Sequence, residues 1–465
     1  MAFFNGLLER GACRGLMESV GAANVSSVVA TCTVQSFTVG GSLGGLIGSG
    51  LVLQDNGGNN LAIAANGSFA FSASVDSGSA YAVTIKTQPT NPSQTCVLSA
   101  TSGTVGAANV SNVVVTCTSR PGQFAYLPSS LGIYSYAIDA MTGALTALAD
   151  SPSGASGVGP GIAVDPAGMF AYATLSKIDN VIAYAIDSST GNLTAISGSQ
   201  FYGGGGNPLD ITVDPSGQFA SMANYGGGIS AFTINSVTGG LTAVSGSPFP
   251  TAVAAREFGM QSVTVDPTGK FVYAASQTGS DVSAYVIDSS TGALTTVVGS
   301  PFPSGSAPQT VRVDPSGKYV YVANPKSNNV WAYSINGSTG ALSMIAAYPS
   351  DSSRQGSPYG LAIEPSGRFL YVANGNSRAI SAFTIDNSTG VLTPLSGNPI
   401  ATGSDPGGPF VHPTGKFLYV SNGGDGTISG YTIDSTSGAL TLIGGSPFAA
   451  TNSGMIGIYN IAFSN

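Results

Sequence analysis

Charged residues are scarce in this chain of 465 residues. Asp, Glu, Lys and Arg together make up 8% of the sequence, against about 25% in an ordinary globular protein. The 14 Lys and Arg residues form no basic run, so the electrostatic attraction that nucleic-acid binding needs is missing. No apolar stretch approaches the roughly 20 residues that a membrane-spanning helix requires. We therefore expect neither a nucleic-acid partner nor a membrane span.

Histidine and cysteine are also rare, with one His (His412) and four Cys. A zinc site with His ligands, or a catalytic triad with a His base, is hard to build from so few. Glycine is abundant instead, at 65 residues, and 42% of the chain is hydrophobic. Without helical periodicity, this composition indicates an all-β protein with many turns.

A repeat of about 50 residues organises most of the chain. Seven segments end in Thr-Gly-x-Leu or Ser-Gly-x-Leu, and their glycines are 48, 48, 53, 48, 50 and 48 residues apart. Periods of this length are typical of propellers and kelch-like arrays. The motif glycines are Gly143, Gly191, Gly239, Gly292, Gly340, Gly390 and Gly438.

Each repeat predicts four short strands. In the second unit these are residues 162–164, 170–174, 181–186 and 193–196. The first two are joined by Asp165-Pro-Ala-Gly, which fits a type I turn with Asp at its first position and Pro at its second. Four-stranded antiparallel units that stack radially are propeller blades.

The count of turns predicts a closed ring. There are six such turns but seven Thr-Gly or Ser-Gly endings, because the unit that starts at Phe124 has no first strand before it. The tail at 456–463 has the pattern of a lone first strand, and its pairing with that unit would hide both edges. We predict a seven-bladed β-propeller over residues 120–465, closed by the C-terminal strand. The turns begin at Asp165, Asp214, Asp266, Asp314, Glu364 and His412.

Three segments carry a family resemblance. They are VDPSGKYVYVAN at 313–324, IEPSGRFLYVAN at 363–374 and AYxIDxSTGAL at 284–294. With them, residues 121–465 resemble the seven-bladed lactonase-type propellers, which include 6-phosphogluconolactonase-like and carboxymuconate-cyclase-like proteins. The resemblance implies a propeller fold and, in an enzyme, a His, Glu or Arg group over the channel that handles an anionic lactone.

Residues 1–119 follow another pattern. The segment VGAANVS at 20–26 recurs at 105–111, and each copy continues to Thr-Cys. Alternating strands and hairpin signals between the copies predict an Ig-like β-sandwich module over 33–119, similar to bacterial surface modules. Residues 1–32 then match the end of a truncated module. This orphan hairpin either folds back or adds strands to a neighbouring molecule, which would give a homo-oligomer or filament.

The cysteines follow the same repeat. We predict disulfides Cys96–Cys117 and Cys13–Cys32, each between adjacent strands, as the preferred of three connectivities. Disulfides imply an oxidising compartment, so we expect an extracellular or cell-surface protein, although Met1–Leu8 lacks the features of a signal peptide.

Propeller sites lie where the central channel opens, so residues that enter the first strands are the candidates. An Arg256–Glu257 pair, in the longest spacing between units, could bind a carboxylate or activate water, or form a surface ion pair only. His412 occupies a turn position, which argues against a role as base. The candidates for lining the channel are Asp210, Arg256, Glu257, Gln261, Gln309, Arg312, Arg354, Gln355 and Tyr359.

These observations lead to one favoured function and two alternatives. Sparse charge and the lack of a His base favour a non-catalytic extracellular structural protein that self-assembles through residues 1–32. The first alternative is a secreted lactonase-like hydrolase at the channel, using Arg256, Glu257, Gln261 and Arg312. The second is an adhesin that binds glycan or protein. We expect no metal site and no cofactor, with Ca²⁺ at the Asp/Asn-rich turn 55–60 as the alternative.

Overall fold

The structure is a computed structural model. The chain folds into two compact units, Met1–Pro121 and Gly122–Asn465. It describes residues 34–46, 50–89, 94–119, 123–154, 157–188, 190–251, 259–351, 356–450 and 460–464. Within these ranges all regular elements are strands, and no helix there is long and apolar enough to cross a membrane.

The described part of the first unit forms two four-stranded sheets. Their orders are β4-β1-β8-β6 and β3-β2-β5-β7, and β1 and β8 are parallel whereas the other neighbours are antiparallel. The strands are β1 Ser36–Gly44, β2 Leu51–Asp55, β3 Asn59–Ile63, β4 Gly67–Asp76, β5 Ala80–Thr87, β6 Gln94–Ser99, β7 Ser102–Thr104 and β8 Val110–Ser119.

Both sheets contribute to one hydrophobic core. Burial alternates along β2 and the first half of β5, as the period of two predicts, and Val39, Leu53 and Val115 are fully buried in the same cluster. Cys96 and Cys117 lie directly opposite each other on β6 and β8, where they form the predicted disulfide. The other predicted pair, Cys13–Cys32, and the predicted assembly segment 1–32 lie outside the described residues.

The described part of the second unit forms seven antiparallel sheets. The strands of the first three are β9 Gln123–Ser129, β10 Gly132–Ile138, β11 Leu145–Ala147, β12 Ile162–Val164, β13 Phe170–Leu175, β14 Asn180–Ile186, β15 Leu193–Tyr202, β16 Pro208–Val213, β17 Phe219–Asn224, β18 Ile229–Ile234 and β19 Leu241–Ala243. The next two contain β20 Met260–Val265, β21 Phe271–Ser276, β22 Asp281–Ile287, β23 Leu294–Thr296, β24 Phe302–Pro303, β25 Thr310–Val313, β26 Tyr319–Asn324, β27 Asn329–Ile335 and β28 Leu342–Pro349. The last two contain β29 Pro358–Ile363, β30 Phe369–Asn374, β31 Ala379–Ile385, β32 Leu392–Pro394, β33 Ile400–Ala401, β34 Pro406–Val411, β35 Phe417–Asn422, β36 Thr427–Ile433, β37 Leu440–Leu442 and β38 Phe448–Ala449.

Strand β39, Ala462–Ser464, completes the first of these sheets, in which the order is β11-β10-β9-β39. Ala462 pairs with Tyr126, and Ser464 pairs with Phe124. In the second sheet the four strands lie where the sequence predicts them, but β15 extends six residues past the predicted end at Ile196. It extends because its second half pairs with the start of β14, with Phe201 opposite Val181.

The turns between first and second strands are closed by buried carboxylates. Asp165 accepts hydrogen bonds from the backbone N–H groups of Met169 and Phe170 at 2.7 Å each. Asp314 does the same for Lys318 and Tyr319, at 2.8 and 2.7 Å. These turns therefore satisfy the backbone donors that a tight bend leaves unpaired.

A second repeated contact joins five of the seven sheets to the next. Tyr126 donates its hydroxyl to the carbonyl of Gly191 at 3.0 Å, and Gly191 also packs on the ring of Phe124. Gly191 has φ of 75°, and a Cβ there would lie 2.3 Å from that ring. Both the backbone conformation and the close ring contact therefore require glycine at this position. The same tyrosine-to-glycine bond recurs in the pairs Tyr273–Gly340, Tyr321–Gly390, Tyr371–Gly438 and Tyr419–Gly143.

The tyrosine contact gives a stability prediction with an internal control. Tyr419 donates to Gly143 at 2.7 Å, from the last sheet to the first, whereas the buried hydroxyl of Tyr172 has no partner among the described residues. We expect Tyr419→Phe to cost about 1–3 kcal/mol, since it leaves a buried carbonyl unpaired, and Tyr172→Phe to be neutral or stabilising. Urea unfolding followed by circular dichroism measures both, and equal losses would contradict this account.

His412 replaces the usual turn carboxylate and is fully buried. Its Nδ1 lies 2.8 Å from Thr414 Oγ1, and its ring packs against Phe417 and Phe463, with centroids 5.9 and 5.2 Å away. Its Nε2 has no partner among the described residues. Burial, and then the charge of Lys416, lower the pKa of His412 from 6.5 to about 4, because a buried imidazolium loses its hydration.

The buried imidazole predicts acid sensitivity. Between pH 6.5 and about 4 the unfolded chain binds a proton at His412 that the folded chain excludes, so stability falls as the pH falls through this window. The full effect is about 3 kcal/mol. His412→Asp restores the carboxylate of the other turns, and we expect its unfolding free energy to change less over this window. Urea titrations at pH 7, 5.5 and 4 compare the two, and identical slopes would exclude His412 as the cause.

Candidate functional site

A cavity of about 340 Å³ opens among the ends of the innermost strands. It is bordered by β16, β20 and β25, which contact one another in sequence around the unit. The residues that line it are Ser130, Gly157, Val158, Gly159, Pro160, Ser176, Lys177, Leu209, Asp210, Gln261, Ser262, Gln309, Thr310, Arg312 and Asn460.

Asp210 is the central acceptor of this cavity. Its Oδ1 accepts from the N–H of Ile211 at 2.9 Å and from the side-chain amide of Asn460. Its Oδ2 accepts from the N–H of Val263 at 3.1 Å and lies 3.9 Å from Nη1 of Arg312. The carboxylate therefore joins three strands and faces one positive charge.

The contact between Asn460 and Asp210 passes the second sheet at Gly161, a residue that has no side chain. A Cβ on Gly161 would lie 2.8 Å from the Asp210 Cα and from the Leu209 carbonyl oxygen. The backbone N–H of Asn460 also donates to the Pro160 carbonyl at 3.0 Å. The glycine thus allows the close approach of backbones on which the Asn460–Asp210 contact depends.

Arg312 is one of two cations that line the cavity, the other being Lys177. Its Nη1 donates to Ser262 Oγ and to the Val311 carbonyl, both at 2.9 Å, and its side chain is 24% exposed. The guanidinium is therefore held in place and still reaches solvent in the cavity. The residues two before the turn on the other first strands are neutral: Ala163, Thr212, Thr264, Ala362 and Phe410.

Three glutamines form a closed triangle of hydrogen bonds beside Arg312. Gln309 donates to Gln261 at 3.0 Å, Gln261 donates to Gln277 at 3.3 Å, and Gln277 donates back to Gln309 at 3.3 Å. Gln261 is the extra residue of a β-bulge, since Met260 pairs with Ser276 and Ser262 with Ala275. Such bulges redirect side chains near functional sites.

The cavity contains four of the residues that the sequence nominates, namely Asp210, Gln261, Gln309 and Arg312. Tyr359 does not line it. Its ring packs over Gly375, and its carbonyl accepts from Thr310 Oγ1 at 2.7 Å. The other nominated residues lie outside the described part of the chain: Arg256, Glu257, Arg354 and Gln355.

Sequence reasoning missed Lys177, Gln277 and Asn460. Lys177 and Gln277 lie in or at the start of loops after second strands, which the argument from first strands did not consider. Asn460 had a usable signal, because it precedes Ile461 in the tail as Asp210 precedes Ile211 in β16. Alignment of the tail with the other first strands would have nominated it.

Metal ligands do not converge in the residues that the structure describes, where no group of three or more His, Cys, Asp or Glu side chains could hold an ion. In the turn considered for Ca²⁺, Asp55 is buried and accepts the N–H of Ala82 at 3.3 Å. Burial raises the pKa of this carboxyl above its usual value, and the turn uses it as a structural acceptor.

The sequence matches the family model described as lactonase, 7-bladed beta-propeller over residues 112–247, 229–353 and 301–405, which together span more than half of the chain. The chain belongs to this lactonase family. The lactonase propeller has no match among curated proteins. Its solved neighbours include a candidate 6-phosphogluconolactonase from Bacteroides fragilis and the periplasmic gluconolactonase of Pseudomonas aeruginosa.

Both neighbours share the fold of the lactonase propeller at low identity. The Bacteroides protein is 22% identical with a TM-score of 0.62, and the alignment covers 75% of this chain and 99% of that one. The Pseudomonas protein is 20% identical with a TM-score of 0.61, over 74% and 99%. Family membership contradicts our expectation of a non-catalytic structural protein, and it favours the lactonase alternative.

Proposed function

We propose that the protein is a hydrolase that opens a lactone ring at the cavity beside Arg312. The observation that carries the proposal is the position of this guanidinium in a chain that belongs to the lactonase propellers. Ester hydrolysis passes through a tetrahedral intermediate whose carbonyl oxygen becomes an anion. A fixed cation at that oxygen stabilises the transition state more than the substrate, which is the requirement for catalysis.

Arg312 is suited to this role because its side chain is already ordered. Ser262 and the Val311 carbonyl hold Nη1, and Asp210 balances its charge from 3.9 Å. The guanidinium has five N–H donors in total, so those that these contacts do not use can donate to a substrate. No reorganisation of the cation is needed as charge develops on the oxygen.

The reaction adds one water molecule. The water oxygen forms a bond to the carbonyl carbon, the ring C–O bond breaks, and one proton of the water passes to the departing alkoxide oxygen. The second proton is released to solvent as the new carboxylic acid ionises. The product is a hydroxy acid with an ionised carboxylate, which Arg312 and Lys177 in the same cavity can both attract. From the sequence, Glu257 remains our candidate for the base that takes the proton from water.

Removal of the guanidinium tests the proposal. We expect Arg312→Met to lower kcat/KM for lactone hydrolysis by about 100- to 1,000-fold, as the loss of one oxyanion donor does elsewhere. Lys318→Met is the matched control, since it removes an exposed cation at the turn after β25. A pH-stat assay with D-glucono-δ-lactone and δ-valerolactone measures both variants. Unchanged turnover in Arg312→Met would exclude this role.

We also propose that the protein works outside the cytoplasm. The Cys96–Cys117 disulfide supports this, because cytosolic thiols are kept reduced, and the Pseudomonas neighbour is named as periplasmic.

The compartment is tested on protein taken directly from cells. We expect iodoacetamide to leave Cys96 and Cys117 unmodified until a reductant is added, because a disulfide has no free thiolate to alkylate. Peptide mass spectrometry of cells quenched in acid measures this. Full alkylation of both residues without reductant would contradict the proposed location.

A further inference from the structure

The triangle of Gln261, Gln277 and Gln309 has no part in the chemistry proposed at Arg312, yet two of its members line the cavity. Each side chain is half-buried. Each amide donates one hydrogen bond and accepts one within the triangle, at 3.0–3.3 Å. A primary amide has two N–H donors and two acceptor positions. The closed triangle therefore leaves each glutamine one donor and one acceptor.

The backbone fixes where these remaining groups lie. Gln261 is the bulged residue of β20, and Gln309 directly precedes β25, with its N–H bonded to the Ala323 carbonyl at 2.9 Å. Gln277 follows β21, and its N–H donates to the Gly259 carbonyl at 2.8 Å. The three amides are thus held on two adjacent sheets and support one another before any ligand arrives, which lowers the entropy cost of binding.

The pairing of donors with acceptors selects one kind of ligand group. A carboxylate or phosphate only accepts hydrogen bonds, so it would use the free N–H groups and meet the carbonyl oxygens unfavourably. An ammonium only donates and meets the opposite conflict. A hydroxyl both donates and accepts, so it matches an amide that offers one of each.

We propose that the glutamine triangle recognises hydroxyl groups, so that among lactones the site prefers those with hydroxyls on or beside the ring. This rests on the proposed lactonase function. Arg312 holds the ester carbonyl, while Gln261 and Gln309 on the same cavity wall hold the hydroxyls. A site that is built to hydrogen-bond a hydroxyl discriminates against the analogue that lacks it, because its polar groups are then left unpaired.

Substrate comparison tests the proposal. D-glucono-δ-lactone carries hydroxyls, and δ-valerolactone has the same ring size without them. We expect Gln309→Met to lower kcat/KM for the hydroxylated lactone by about tenfold, the effect of one lost hydrogen bond left unpaired, and to change that for δ-valerolactone less than twofold. Gln218→Met is the matched control, since Gln218 is exposed at the turn before β17. Equal losses on both lactones, or no loss on either, would overturn the role of the triangle.

A binding measurement separates this proposal from the lactonase assignment. D-glucitol has the hydroxyls but no ester, so calorimetry reports the triangle alone. We expect wild type and Gln218→Met to bind it and Gln309→Met to bind at least tenfold more weakly. Binding of D-glucitol without turnover of any lactone would overturn the lactonase function and leave hydroxyl recognition standing. Turnover of both lactones with equal kcat/KM by the wild-type protein would overturn hydroxyl recognition and leave the lactonase function standing.

Discussion

The packing of each motif glycine on an aromatic ring of the preceding sheet is the contact on which the second unit depends. At five of the seven junctions a buried tyrosine also donates its hydroxyl to that glycine's carbonyl. A single four-stranded sheet of short strands cannot bury both of its faces, so each one needs a neighbour at a fixed distance. The glycine approaches an aromatic ring where a Cβ would collide, and the hydroxyl then fixes the spacing. Because Tyr419 makes this bond to Gly143, the same contact links the last sheet to the first.

The sequence predicts much of this architecture and less of the site. The Thr-Gly and Asp-Pro motifs locate the strands because both motifs sit at turns whose side-chain bonds are local, as with Asp165 and Phe170. Gln261, Gln309 and Arg312 follow from their places on first strands. Lys177 reaches the cavity from a loop after a second strand, and Gln277, at the start of another such loop, contacts the two glutamines that line it. Both approaches depend on packing between sheets. Arg256 and Glu257 remain predictions.

The functional expectation failed for a physical reason. Sparse charge does not argue against catalysis, because catalysis needs charge only where the transition state develops it. The residues at the positions equivalent to Arg312 on the other first strands are neutral, and among the described residues Asp210 is the acidic side chain that lies within ion-pair distance of Arg312. A fixed cation in a cavity that is partly shielded from solvent acts more strongly than the same cation in water.

The pairing of β39 with β9 also bears on how the chain folds. The N–H of Phe124 donates to Ser464 Oγ across 340 residues of sequence, so the first sheet of the second unit is the last to be completed. The entropy lost in joining such distant segments grows only with the logarithm of the intervening length. The more important consequence is kinetic, because contacts of long sequence separation form slowly. Until they form, β9 presents an open edge to any other strand nearby. During synthesis that edge is available for mispairing while the other six sheets are made, so the first sheet is the one most exposed to misfolding.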